Sequence, residues 1–199
     1  LATGQRALKN VLLGWLMSED SSEAAALALQ QQRSADNMTE ELGVLEAITH
    51  SQLPERKIAF GEFREKWKNE PLVICNWFVT QAISRRGDVI ESLEALAADR
   101  LYDKNNPNNV SALFGAFCRF NLIRFNQKDG SGYRVTADQI IDVDSRNPQM
   151  AARLMRAFDS WRTLDLHRQQ KVRGEIERIL AKPGLSSNVY EIASKALGE

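Results

Sequence analysis

Few residues in this chain could start chemistry. It has two histidines, His50 and His167, and two cysteines, Cys75 and Cys118. A zinc site needs such groups gathered on fixed elements, as in a His-Glu-x-x-His helix or a Cys-x-x-Cys pair. Neither histidine has a second one at i+4, and neither cysteine has a near neighbour of its kind. They read as surface histidines, one at a helix end and one in a polar first turn, and as buried thiols of a reducing compartment. Gly130-x-Gly132 is too short for a dinucleotide loop and follows no convincing strand, so it reads as a tight turn. Arg85-Arg86 and the charged series Arg168, Lys171, Arg173, Glu175, Glu177 and Arg178 read as a solvated face with mixed-sign pairs. The spacings suit no triad, metal cluster or phosphate loop. The expectation is a chain with no catalytic residue, no metal ligand and no cofactor of its own.

What the sequence does specify is helix. From Arg6, the residues Leu8, Val11, Leu12, Trp15 and Leu16 fall at i, i+3, i+4, i+7 and i+8, one face of a helix. Ser21-Ser22 before Glu23 opens an Ala/Leu/Gln-rich helix to about Arg33, and Thr39 caps the next, with Leu42, Leu45 and Ile48 inward. Pro54 sits in a first turn, where its missing N–H costs nothing. Phe60, Phe63 and Trp67 supply bulk there. Leu72 to Ile83 is apolar almost all round, the mark of a helix buried between neighbours. Gly87-Asp88 starts a short helix carrying Val89, Ile90, Leu93 and Leu96.

After Asn105-Asn106-Pro107-Asn108-Asn109, a further stripe runs through Val110, Leu113, Phe114, Phe117 and Phe120. Tyr133 to Asp144 admits a strand, but Asp138 to Val143 continues a helical pattern better. Pro148 opens a helix bearing Leu154, Met155, Phe158 and Trp161. Asp165 caps a long helix through Leu180, and Ser186 or Ser187 caps the last. All four tryptophans lie on helical stripes and are expected in the core. Helices of this length with short connections lie antiparallel to their neighbours. About a dozen of them imply an all-α stack of helix pairs, an α-solenoid over residues 1–199, although no tetratricopeptide or ankyrin period is present.

Composition sets the outer bounds. Hydrophobic residues make up 43% and charged residues 26%, an ordinary globular balance. Lys+Arg 26 equals Asp+Glu 26. Without a basic excess, neither nucleic acid nor an anionic membrane is an expected partner. No apolar run reaches the length of a membrane span and no signal peptide is recognisable, so a cytoplasmic location is expected. The opening Leu-Ala-Thr-Gly, without methionine, fits a segment of something longer.

Taken in order, certain pieces form a series: Arg6-Ala7-Leu8-Lys9-Asn10, Asp36-Asn37-Met38-Thr39, Trp77-Phe78 with Gln81-Ala82, Asn106-Pro107-Asn108 and Gly115-Ala116-Phe117. The series continues with Asp129-Gly130-Ser131-Gly132-Tyr133, Asn147-Pro148-Gln149-x-Ala-x-Arg153 and Arg168-Gln169. This ordered set resembles the C-terminal helical domain of bacterial-type aminopeptidase N, the alanyl aminopeptidases of the gluzincin zinc exopeptidases. No single piece is specific, but the set spans essentially the whole chain.

The resemblance implies a helical cap domain at the end of a longer enzyme that removes N-terminal residues from peptides. The zinc, its ligands and the catalytic glutamate would lie in an upstream catalytic domain of the same polypeptide. That domain and peptide substrates would be this chain's partners. The cap would close the cavity, limit entry and be inert by itself. Arg153 sits where the family carries an arginine that reaches the substrate cavity; a guanidinium there can hold a carbonyl or carboxylate, or serve as an ordinary inter-helix ion pair. Two departures bear on this. The family's Asn-Pro-Asn-Arg-x-Arg has Asn109 and Ser111 at its arginine positions here. Its Asp-Lys-Trp-Phe is Cys75-Asn76-Trp77-Phe78, so the wall is expected to be less basic. The alternative of another class is a free-standing helical-repeat module that holds a peptide or protein in its groove.

Overall fold

A computed structural model describes residues 3–198. Among them every regular element is helical. Two compact units divide the chain, residues 1–86 and 87–199.

The first unit holds α1 (Thr3–Met17), α2 (Ser22–Ser34), α3 (Met38–Ile48), α4 (Pro54–Trp67) and α5 (Pro71–Ala82). Ser21 caps α2 by accepting from the Ala24 N–H, and Pro54 and Pro71 occupy first turns. The cap of α3 is Asn37, whose side chain accepts from the Glu40 N–H, and not Thr39, which lies inside the helix. An Asn one step outside a helix offers a carbonyl at the same reach, so the earlier polar residue takes the role.

Central to this unit is α3, which packs against α1, α2, α4 and α5. Val44, Leu45 and Ile48 are fully buried, and Phe60, Phe63, Trp77 and Phe78 are buried on the helices α4 and α5 that pack against α3. The indole of Trp77 donates to the Phe60 carbonyl at 2.9 Å, so the largest core ring has its polar edge satisfied. The last turn of α3 is tied off by other elements. The Thr49 carbonyl accepts from Ser84 Oγ at 2.8 Å and Arg56 Nε at 2.9 Å, partners an α-helix cannot supply to its own terminal carbonyls.

Two side-chain expectations fail in this unit. Leu72 is exposed in the first turn of α5, so this helix is not buried all round. More consequentially, α1 is docked by its polar face. Leu13 and Met17 are buried, and beside them Lys9 pairs with buried Glu40 at 2.5 Å. Asn10 donates to the Thr39 carbonyl and accepts from Gln31. Gly43 makes this approach possible, since a Cβ there would lie 2.2 Å from the Asn10 amide. The apolar stripe of α1 therefore points away, and Trp15 is 70% exposed and not a core residue. Of the other tryptophans, Trp77 and Trp161 are buried and Trp67 is half-buried, with its indole donating to Glu41.

The second unit holds α6 (Val89–Ala97), α7 (Pro107–Val110), a π-helical turn (Ser111–Gly115), α8 (Ala116–Phe120) and α9 (Leu122–Phe125). Then follow α10 (Ser131–Asp144), α11 (Pro148–Met155), 3-10 turns at Arg156–Phe158 and Trp161–Thr163, α12 (Leu166–Leu180) and α13 (Ser187–Leu197). The ambiguous Tyr133–Asp144 stretch is a helix. Its buried residues Tyr133, Thr136, Ala137, Ile140, Val143 and Asp144 recur at helical spacing. Phe120, read as part of the stripe before it, is exposed, because the π turn shifts the register of the face that follows.

Asp129-Gly130-Ser131-Gly132-Tyr133 is a packing device. Gly130 takes the left-handed conformation, with φ 80°, and Asp129 accepts from the Ser131 N–H at 3.0 Å. Gly132 brings α10 onto the backbone of α9, so close that a Cβ would lie 2.4 Å from the Phe125 carbonyl oxygen. Tyr133 then enters the core edge-on to Phe125 at 5.3 Å and near Phe158 at 6.4 Å, and its hydroxyl donates to Asn126. The last helix is fixed through Asp144, which accepts from both the Ser186 N–H and its hydroxyl. Ser186 in turn caps α13.

Replacing Gly132 with alanine should cost about 3 kcal/mol or more, because the obstructing atoms are backbone and cannot swing aside. Gly174, in exposed α12, meets nothing within 4 Å, so Gly174→Ala should stabilise by about 0.5–1 kcal/mol. Urea unfolding of both variants checks the pair. Equal effects would remove the packing role given to Gly132.

Candidate functional site

The candidate site is the outward face of α11. Asn147 caps this helix by accepting from the Met150 N–H at 3.0 Å, and Pro148 holds its first position. Met150, Ala151, Ala152, Leu154 and Met155 are buried. The two alanines leave room for α10 and α13 to lie against the helix. Besides Pro148 in the first turn, what remains exposed is Gln149, Arg153 and, in the turn that follows, Arg156, at i, i+4 and i+7. The Arg153 side chain makes no ion pair or hydrogen bond with any described residue. Of the two roles open to it from sequence, the inter-helix ion pair is not formed within the described residues.

The positions that depart from the family pattern lie at the start of α7. Asn106 caps it, and Asn109 is buried, with its side-chain oxygen accepting from the Asp103 N–H at 2.8 Å. Asn109 thus stitches the preceding turn and presents no charge. Ser111 is half-buried at the first residue of the π turn. Neither can replace a guanidinium at these positions.

A cavity of about 360 Å³ opens beside the 3-10 turns, lined among others by Arg156, Asp159, Trp161, Arg162, Glu191 and Lys195. Trp161 forms a fixed wall, since its indole donates to the Ala196 carbonyl at 3.0 Å and the Arg162 guanidinium stacks over its ring at 5.2 Å. Glu191 pairs with Lys195 at 2.6 Å, and that hydrogen bond holds its carboxyl below the usual range. The lining carries charge of both signs, the carboxylates of Asp159 and Glu191 facing three arginine and lysine side chains. Sequence reasoning missed this recess because its walls come from residues about thirty apart; the only local signal was arginine at 153, 156 and 162.

The remaining polar candidates are structural. Cys118 is buried against the Thr136 hydroxyl at 3.3 Å, and burial pushes its thiol up to about 12, far from a reactive thiolate. Cys75 is half-buried, and neither cysteine is in a disulfide. His167 donates through Nε2 to the Lys128 carbonyl at 2.9 Å. Among the described residues no three His, Cys, Asp or Glu side chains gather as a metal site, and no helix is long and apolar enough to cross a membrane.

Comparison with known proteins adds to this geometry. A family model described as a domain of unknown function (DUF3458_C) with ARM repeats matches residues 1–198. The aminopeptidase N of Caulobacter vibrioides is 38% identical over 197 residues, 99% of this chain and 23% of that protein. That of Escherichia coli is 36% identical over 193 residues, 97% of this chain and 22% of that protein. Among solved structures, an aminopeptidase A of Legionella pneumophila in complex with aspartic acid superposes with a TM-score of 0.90 at 34% identity. The match covers 98% of this chain and 23% of that one. The chain thus spans less than a quarter of the length of these relatives.

One polar contact yields a pH prediction. The His50 ring accepts from the Arg85 N–H at 3.1 Å through Nδ1, a role open only to an unprotonated nitrogen. Burial, then the charges of Arg85 and Arg56, lower its pKa below the usual histidine range. The unfolded chain therefore takes up the proton first as the solution is acidified. The stabilisation is present above the unfolded value of about 6.5 and is lost as pH falls through the folded one. Urea midpoints should drop between about pH 7 and pH 5, less steeply in His50→Asn, which keeps an acceptor but no proton site. Parallel slopes would remove His50 from the linkage.

Proposed function

The chain belongs to the ARM-repeat family that forms the C-terminal domain of aminopeptidase N, and on that premise we propose that it serves as the helical cap of a zinc-dependent aminopeptidase. The parent removes N-terminal residues from peptides in the cytoplasm. Residues 1–199 act as its single C-terminal cap domain, closing the catalytic cavity and limiting what enters. The observation that carries this reading is the match of nearly all of this chain to less than a quarter of enzymes bearing that name.

In this reading the metal and its ligands lie on the upstream catalytic domain of the same polypeptide, and this chain contributes wall. Helical pairs stacked in an ARM array produce a concave surface, and a closed cavity keeps bulk water and folded proteins from a metal centre. Arg153 is the residue of this chain that meets the peptide. Its outward position on α11 and its lack of a partner among the described residues support that role. The guanidinium offers paired N–H donors to a peptide carbonyl or a C-terminal carboxylate. With Asn109 and Ser111 uncharged, Arg153 carries more of the recognition than it would beside two further arginines.

Two measurements test the proposal. The isolated chain should show neither aminoacyl-anilide hydrolysis nor stoichiometric zinc, while the reading frame upstream of Leu1 should encode His-Glu-x-x-His and a distal glutamate. Clear turnover by the chain alone, or a gene starting at this leucine, would reject the cap reading in favour of a free-standing module. In the full-length enzyme, Arg153→Ala should raise KM for peptides about 10-fold. That is the loss of one charge-assisted hydrogen bond, at about 1.5 kcal/mol, with kcat changed less than about two-fold. An unchanged KM would remove Arg153 from the cavity.

A further inference from the structure

The recess beside Trp161 is lined by three charged side chains that no described residue neutralises. Arg156, Asp159 and Arg162 recur every third residue, the spacing at which side chains eclipse in a 3-10 turn, so they stand along one rim. None of the three makes an ion pair or a side-chain hydrogen bond with a described residue. The opposite rim belongs to α13, where Glu191 and Lys195 pair with each other at 2.6 Å. Between the rims, Ile192, Ala196 and the Trp161 indole form an apolar floor. The geometry points to a binding site for a free α-amino acid, its carboxylate on Arg156 and Arg162, its ammonium on Asp159 and an apolar side chain on the floor. This site is separate from the cap role and stands with or without it.

Charge, preorganisation and size select this ligand. An anion alone would meet Asp159 and Glu191, and a cation alone would meet three basic side chains, whereas a small molecule carrying both signs matches each. Elsewhere in this unit exposed charges pair locally, Arg146 with Asp142, Arg173 with Glu177, and Arg178 with Asp138 and Glu175. On this rim the local pairing does not form. The Arg162 guanidinium is instead stacked over the Trp161 ring at 5.2 Å, which holds its planar N–H fork in place and leaves it available to a carboxylate. The indole beneath is itself pinned to the Ala196 carbonyl at 3.0 Å. Groups already fixed in this way lose little freedom on binding, so a ligand with few contacts can still be held. The volume of about 360 Å³ lies at the low end of ligand pockets, about 300–1,000 Å³, and suits a ligand of amino-acid size.

The test uses the full-length polypeptide with free p-azido-L-phenylalanine as a photoaffinity probe. Labelling should saturate, map by mass spectrometry to the 3-10 turns or to α13, and be displaced there by L-phenylalanine. Displacement should need at least about 10-fold more 3-phenylpropionate, which lacks the ammonium, or L-phenylalaninamide, which lacks the carboxylate, since each has lost a charge-assisted contact. Arg162→Gln should weaken L-phenylalanine about 10-fold and change L-phenylalaninamide less than about two-fold. Asp159→Asn should weaken L-phenylalanine similarly and change 3-phenylpropionate less than about two-fold. Such a crossed pattern marks direct contact, which a merely disturbed fold does not produce. The analogue series on unsubstituted protein gives the same answer if a variant fails to fold. Labelling confined to other segments, analogues as strong as the amino acid, or variants without effect overturn the site. Displacement about 10-fold better by the dipeptide Ala-Phe than by L-phenylalanine also overturns it, by assigning the rims to the two ends of a peptide.

Discussion

Backbone contact at Gly132 is the constraint on which the second unit depends. Because no side chain stands at that position, α10 rests on the carbonyls of Arg124 and Phe125. That proximity delivers Tyr133 into a cluster with Phe117, Phe125 and Phe158. Phe158 belongs to the turn that continues α11, so the same cluster fixes which way α11 faces. With its alanines and methionines turned inward, Arg153 has only the outward side left. The candidate binding residue is thus positioned by a glycine more than twenty residues away, through aromatic packing that tolerates little change of volume.

In the first unit, polar contacts do the positioning that aromatic packing does in the second. Glu41 is buried and takes both the Lys66 ammonium at 2.8 Å and the Trp67 indole at 2.9 Å, so the cost of desolvating a carboxylate is offset by charge-assisted bonds. Thr49 donates to the Thr80 carbonyl at 2.8 Å while its own carbonyl accepts from α4 and from the end of α5. Directional contacts of this kind fix the axial position of neighbouring helices more sharply than apolar burial does. They also explain how α1 can be held with its apolar side turned out. Lys9, Asn10 and Gln31 supply enough specific bonds, and Gly43 enough room, to seat it on its polar side.

These arrangements are consistent with a domain whose function is expressed through what packs against it. Motifs that look like candidate chemistry turn out to be scaffold. Asp129 to Tyr133 is a close-packing corner, Asn106 and Asn109 cap and stitch a helix start, the two exposed histidines each hold a backbone group, and Cys118 fills the interior. Rigid corners of this kind fix the placement of outward side chains.

Sequence alone determined the helical class, nearly all helix starts and the family, because caps, first-turn prolines and 3.6-residue periodicity are local properties that survive without knowledge of neighbours. Asn147-Pro148, Asp165 and Ser186 were legible for that reason. Tertiary structure alone decided which side of α1 is buried, because periodicity shows that a helix has an apolar face but not whether its neighbours have taken the other one. Likewise, only the fold could show the π turn that exposes Phe120, and the recess beside Trp161. Each depends on how residues far apart in the chain meet, and that is set by the volume and hydrogen bonds of the neighbours.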